Sequence, residues 1–411
     1  MLEGHNLLAF LAASSQGDAL ALPLSMLIIF GSAKLLAALF ERIGQSGIVG
    51  QILAGVLVGP QLLNWIHPDN LLHALAELGV IFLLFRVGLE VKSSELFRVG
   101  GTALVVATLG VIVPFVSGWL ILMAFGKSKV ESSFVGAAMV ATSVGITAQV
   151  LAAKGLLDER ASKIILAAAV FDDVLGLLAL AVVTSMAEGE INWMALATTA
   201  AVAIGFTLLV AIFGSRAAKR VVPRIEERFT VGEVQFDIAL VVLFALSVLA
   251  VKAGVAAIIG AFLGGMAMAE TVNERVHVLA HGIAECLLPF FLVGIGLNLN
   301  LHSVAHEDTL WLAVIVIVAA VLSKLVGAGI GAAHLGLRDM FRIGSGMVPR
   351  GEVGMVVAQI GLALHVIETS VYAVVVLMAV ATTIIAPPLL NLSFRRAGYV
   401  SREAQEQYRI G

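Results

Sequence analysis

Apolar stretches of about 20 residues, each ended by a short polar break, follow one another along almost the whole chain. That is the length a helix needs to cross the hydrocarbon core of a bilayer. The pattern predicts about thirteen such segments, at 22–41, 46–60, 71–90, 99–125, 133–153, 162–187, 191–215, 234–252, 254–272, 281–300, 309–335, 341–364 and 369–390. The second is short and rich in glycine, as a broken or re-entrant helix would be.

Composition agrees: 60% of the residues are hydrophobic and 13% charged, with a mean hydropathy of +1.03, too few polar groups to cover a surface in water. The fold class this implies is an all-α polytopic membrane protein. Met1 to Leu20 is mixed polar without a basic leader, unlike a cleaved signal peptide.

Charge orients the segments. With the N-terminus outside, 18 of the 25 basic residues fall in inside loops or the tail, from Arg42 through Arg216, Lys219, Arg220, Arg224 and Arg228 to Arg409. Lys127, Lys129 and Lys252 fall outside, and Lys34, Arg86, Lys324 and Arg350 fall within segments. One segment missed or invented mid-chain would destroy that asymmetry, so the N-terminus is expected outside and the C-terminus in the cytoplasm. The net charge of −3 and the absence of a basic tail exclude nucleic acid as an expected partner. A single cysteine, Cys286, excludes a disulfide framework, and no histidine spacing resembles a metal motif. With no phosphate-binding glycine loop, neither nucleotide nor any other cofactor is expected.

The chain resembles itself at an offset of about 208 residues. AELGVIFLLFRVGLEV from Ala76 aligns with AECLLPFFLVGIGLNL from Ala284, and AGVLVG from Ala54 with GAFLGG from Gly260. GAAMVATSVG from Gly136 aligns with GSGMVPRGEVG from Gly344 if one residue is inserted. The copies lie seven segments apart. An odd separation makes the halves run oppositely through the membrane, a signature of secondary transporters.

Polar groups at membrane depth supply the candidate chemistry. Asp172 and Asp173 sit in mid-segment, flanked by apolar residues, where each carboxylate costs at least about 2.5–3.5 kcal/mol to insert. About 100° apart on a helix, one can face a protein partner and the other a water-filled cavity. Lys324, in VLSKLVGAGIG, is equally deep, and the aspartate pair supplies the anion it needs. Thr142-Ser143 and Pro349-Arg350-Gly351-Glu352 are each expected to interrupt a helix near the bilayer centre, Pro349 by removing a donor and clashing with the preceding turn. Arg350, Glu352 and the threonine hydroxyls would balance the half-helix ends.

The motifs LLFRVGLE, ATSVGIT, FDDVLGLL, SKLVGAGIG and MVPRGEVG, spread over nearly the whole chain, resemble the second family of monovalent cation:proton antiporters. Within that family the aspartate pair is similar to the sodium/proton antiporters of the NapA type. The potassium-efflux Kef type usually has glutamine where Asp172 stands.

The resemblance implies Asp173 as cation and proton carrier and Asp172 as the partner of Lys324. It implies Thr142, Ser143, Arg350 and Glu352 around the site, with Asp173 and Thr142 as candidate sodium ligands. It also implies a homodimer in the cell membrane. Residues 1–98 and 234–308 would form the two halves of an interface domain, and 99–190 and 309–390 those of a core domain with crossed broken helices that moves like an elevator. Residues 191–233 would link them and 391–411 form a cytoplasmic tail.

Sodium is the first expected cargo and potassium the alternative, with an electrogenic cycle. A channel would need a continuous path, which facing breaks around buried ions do not suggest. An intramembrane aspartyl protease would need two carboxyls converging on one water, which neighbours on one helix cannot do.

Overall fold

A computed structural model describes residues 17–42, 47–60, 62–91, 93–188, 193–226, 234–297 and 307–395. The first sixteen residues, most of the tail, and Lys92 and Arg228 lie outside the described residues. Among those described, the regular structure is helical throughout. The order is α1 (Gly17–Arg42), α2 (Gly47–Val58), α3 (Asn70–Leu89), α4 (Ser93–Ala124), α5 (Lys129–Ala138), α6 (Val144–Ala153), α7 (Arg160–Glu188) and α8 (Trp193–Glu226). It continues with α9 (Val234–Lys252), α10 (Ala257–Met268), α11 (Glu274–Leu297), α12 (Glu307–Gly331), α13 (Leu337–Gly346), α14 (Glu352–Ala363) and α15 (Thr369–Ser393).

Helices stand on all thirteen predicted segments, and among the described residues nine of them are long and apolar enough to cross a membrane. In hydrocarbon every backbone group must be bonded internally, so a chain this apolar has little choice but helix. Three segments depart in length from the expected pattern. The second is an unbroken helix, α2, of 12 residues, and α10 has the same length. The seventh, expected to end at residue 215 where charge begins, continues as α8 to Glu226 because Arg-Ala-Ala-Lys-Arg is a sequence of strong helix formers.

The described residues divide into two compact units, one holding those up to Glu77 with Leu287 to Leu297, the other Leu78 to Cys286 with 307 to 395. The first is built around Ile29, Ala33, Ala54, Val58, Val293 and Phe290, whose ring meets Phe30 edge-on at 5.2 Å. The second has its core at Phe134, Met139, Val316, Val374 and Met378, and it holds all the candidate site residues.

Helices touch backbone to backbone at glycines, as expected where tight van der Waals packing replaces the hydrophobic effect. In the first unit Gly50 of α2 lies against the Leu36 carbonyl of α1, Gly55 of α2 against the Val293 carbonyl of α11, and Gly296 of α11 against the Ile52 carbonyl of α2. In the second unit Gly260 of α10 lies against the Leu246 carbonyl of α9, Gly265 of α10 against the Phe85 carbonyl of α3, and Gly88 of α3 against the Phe262 carbonyl of α10. The two sets of glycines are related by 208 or 210 residues.

Candidate functional site

Two helix breaks lie at the centre of the second unit. The chain leaves helix at Met139 and re-enters at Val144, and again leaves it at Met347 and re-enters at Glu352. The bounds of α5 and α13 differ by 208 residues at both ends, so the structure aligns the breaks without the inserted residue that the sequence pairing required. The interrupted segments run against each other: Ser143 N donates to the Pro349 carbonyl at 2.8 Å, and Thr147 Oγ1 on α6 donates to the Gly346 carbonyl, the last of α13, at 2.6 Å. Among the described residues Thr142 Oγ1 makes a long contact of 3.5 Å with the Met347 carbonyl, while Ser143 Oγ is buried and has no hydrogen-bond partner.

The crossing requires a residue without a side chain at Gly351. A Cβ there would lie 2.7 Å from both Cβ and Oγ of Ser143. Gly351→Ala is expected to destabilise the protein by about 1–3 kcal/mol through overpacking, and Ser143→Gly in the same chain to recover most of the loss. Thermal unfolding of the single and double variants measures both.

Arg350 is fully buried and reaches back across the crossing. Its Nη1 donates to the carbonyls of Val140 at 3.0 Å and Ala141 at 3.3 Å, and its Nη2 to the Ala320 carbonyl on α12 at 3.2 Å. A guanidinium thus stands where α5 ends and its unbonded carbonyls gather negative partial charge. The backbone of Arg350 is gripped from α15: its N–H donates to Thr382 Oγ1 at 3.1 Å and its carbonyl accepts from Thr383 Oγ1 at 2.7 Å. Glu352 is the first residue of α14, and its side chain lies outside what the structure describes.

The two aspartates diverge, as neighbours on a helix must. Asp172 and Lys324 are both completely buried, and Lys324 Nζ donates to Asp172 Oδ1 at 2.6 Å. Gly110 of α4 packs beside the ammonium, a Cβ there standing 3.4 Å from Nζ, an ordinary contact. The second oxygen of Asp172, Oδ2, is buried without a hydrogen bond among the described residues. Asp173 keeps 8% of its surface exposed. A charge-assisted hydrogen bond at 2.6 Å compensates part of the cost of burying two ions, and it commits Asp172 to the protein.

Sequence reading brought out Asp172, Asp173, Lys324 and both breaks. It missed Thr382 and Thr383, whose only signal was a pair of adjacent hydroxyls in an otherwise apolar segment ahead of Pro387-Pro388. It expected Arg350 at the half-helix ends, where the guanidinium stands, but could not name the individual carbonyls of Val140, Ala141 and Ala320, which carry no sequence signal.

Residues 28–394 match the family model described as sodium/hydrogen exchanger, transmembrane. The chain belongs to the sodium/hydrogen exchanger family. Within the curated proteins it is similar to the Na(+)/H(+)-K(+) antiporter GerN of Bacillus cereus, 33% identical over 375 residues that span 89% of this chain and 95% of the relative. It is also 32% identical to the high-affinity Na(+)/H(+) antiporter NhaS3 of Synechocystis over 93% of this chain and 92% of that one. Its fold matches the solved structure of the sodium proton antiporter MjNhaP1 from Methanocaldococcus jannaschii with a TM-score of 0.67 over 92% of this chain and 94% of that chain, at 17% identity. A chain of the sodium/hydrogen exchanger family with several helices long and apolar enough to cross a membrane among its described residues is a multi-pass membrane protein.

Proposed function

We propose that this protein exchanges a monovalent cation, sodium before potassium, for protons, with Asp173 as the group that carries either. The observation that carries the reading is the unequal treatment of two adjacent acids. Asp172 is completely buried and bonded to Lys324, while Asp173, also buried, keeps 8% of its surface exposed in the unit that holds the crossed breaks. A carboxylate at membrane depth must be neutralised to move across a bilayer cheaply, and either a proton or a sodium ion neutralises it. Coupling follows if the site changes sides only when loaded. Asp173 with Thr142 would hold the cation, with Ser143 and Glu352 nearby.

Arg350 carries its charge into the α5 end and α12 and is read as a brace, so binding and bracing fall to different residues. Two protons per cation, from the aspartates and the lysine together, would make the cycle electrogenic. The aspartate at 172 favours the NapA type over the Kef type. The relative GerN, whose name includes potassium, keeps potassium as the second reading.

The rest of the architecture is proposed with it. The glycine contacts repeated at 208 or 210 residues and the equal breaks support two inverted repeats and thirteen crossings. An interface domain of residues 1–98 and 234–308 would pair two copies in the cell membrane, N-terminus outside. A core of 99–190 and 309–390 would move against it. In sealed proteoliposomes holding an acidic interior, external sodium should release protons, lithium and potassium being compared in parallel, and the rate should respond to an imposed potential. No proton movement with any of the three cations would refute exchange. Proton movement independent of potential would refute electrogenicity alone.

A further inference from the structure

Helix α8 is longer than the membrane it would cross. Its 34 residues span about 51 Å at about 1.5 Å per residue, against a hydrocarbon core of about 30 Å. The excess is where the predicted segment stopped and charge began. Leu209 and Phe213 are 60% and 57% exposed, and Arg216, Arg220 and Arg224 beyond them are exposed too. At about 100° per residue these five positions fall within an arc of about 80°. One outward stripe therefore passes from apolar to basic along the helix without turning away.

The stripe is held in place from behind. Lys219, off the stripe by about 60° or more on the same geometry, forms an ion pair with Glu270. Gln235 ties the end of α8 to its neighbours by donating to Glu226 Oε1 at 2.6 Å and accepting from Asn273 N at 2.8 Å. Of the three arginines, Arg216 spends one N–H on the Ile212 carbonyl at 2.7 Å, and none of the three makes an ion pair among the described residues.

We propose that this stripe binds anionic phospholipids, their acyl chains along Leu209 and Phe213 and their phosphates against Arg216, Arg220 and Arg224. An ordered apolar-to-cationic sequence on one face matches the order of a lipid's own parts. The guanidinium forks supply paired donors that suit phosphate oxygens, and a net negative headgroup is what three cations without an ion pair among the described residues select over a zwitterionic one. A fivefold loss of affinity per arginine removed is expected, on the order of 100-fold for all three.

The test uses the full chain purified in detergent and returned to bilayer discs of phosphatidylcholine alone or with one third phosphatidylglycerol. Retained lipid is counted by native mass spectrometry and unfolding followed by heat. The parent should retain phosphatidylglycerol preferentially and unfold at a higher temperature in its presence. R216Q/R220Q/R224Q should lose both effects while matching the parent in phosphatidylcholine, and K219Q should keep both. Retention of phosphatidylglycerol by the triple variant equal to that of the parent overturns the proposal. So does a stripe that cross-links to a second copy of the chain in phosphatidylcholine, because the face would then be covered by protein. Loss of transport in every lipid with lipid retention unchanged bears on the exchange reading and leaves this one standing.

Discussion

Asp173→Asn is expected to reduce cation-dependent proton movement to the level of empty liposomes while leaving the protein folded. Asparagine keeps the shape of the side chain and removes both the titratable oxygen and the negative charge. The variant can neither hold a proton at that atom nor attract a cation to it, so both halves of the exchange fail together. Folding should survive because asparagine fills the same space at position 173 and the 2.6 Å bond to Lys324 is made by Asp172, which the variant keeps. The check is transport in proteoliposomes beside the unfolding temperature and the elution profile of the same preparation. Substantial sodium-driven proton release by a well-folded Asp173→Asn protein would remove this residue from the central role.

Lys324→Ala should produce the largest loss of stability of any single change at the site. Removing one member of a completely buried ion pair strands the other, at a cost of about 3–5 kcal/mol. Asp172→Asn should cost a comparable amount from the opposite side, stranding an ammonium that has no water to turn to. The double variant strands nothing. It should lose clearly less than the two single losses added together, by an interaction energy of about 0.5–3 kcal/mol or more. Thermal unfolding of the four proteins in one detergent gives the cycle. Additive losses would mean that the 2.6 Å contact contributes nothing of its own. Transport by Lys324→Ala then separates two roles: continued exchange marks the lysine as a brace or optional proton carrier, and arrest marks it as indispensable to movement.

Much of this was legible before any coordinates because membrane burial simplifies the code. Apolar length located the helices, and a carboxylate or ammonium in mid-segment stood out against its surroundings. Pro349 marked its break by a mechanism that holds in any environment. The break at Met139–Ser143 has no proline, and it was legible only through its likeness to the other.

What escaped is equally physical. The end of α8 was misjudged because hydropathy reports where the hydrocarbon stops, whereas helix propensity and capping decide where a helix stops. The grip of Thr382 and Thr383 on Arg350 escaped because a threonine inside an apolar helix usually bonds its own preceding turn, as Thr382 also does to the Met378 carbonyl at 2.9 Å. The contacts that organise the crossing are made largely by main-chain atoms, which every residue possesses.

The near collision of Gly351 with Ser143 bears on how such a chain could have arisen. These two positions correspond to one another at the 208-residue spacing of the breaks, and they also touch. Only points close to a rotation axis meet their own images. A half-length ancestor that assembled with a second copy of itself about that axis would have brought this residue against its twin, where two β-carbons do not fit, and would have needed glycine in both. Fusing two such halves into one gene would have lifted that constraint. One copy could then acquire a hydroxyl at this spot while the other kept glycine, and the next position along could become threonine in one arm and arginine in the other. The opposing arms could from then on be unlike, so that a single aspartate pair and a single guanidinium serve a site that self-assembly would have forced to carry two of each.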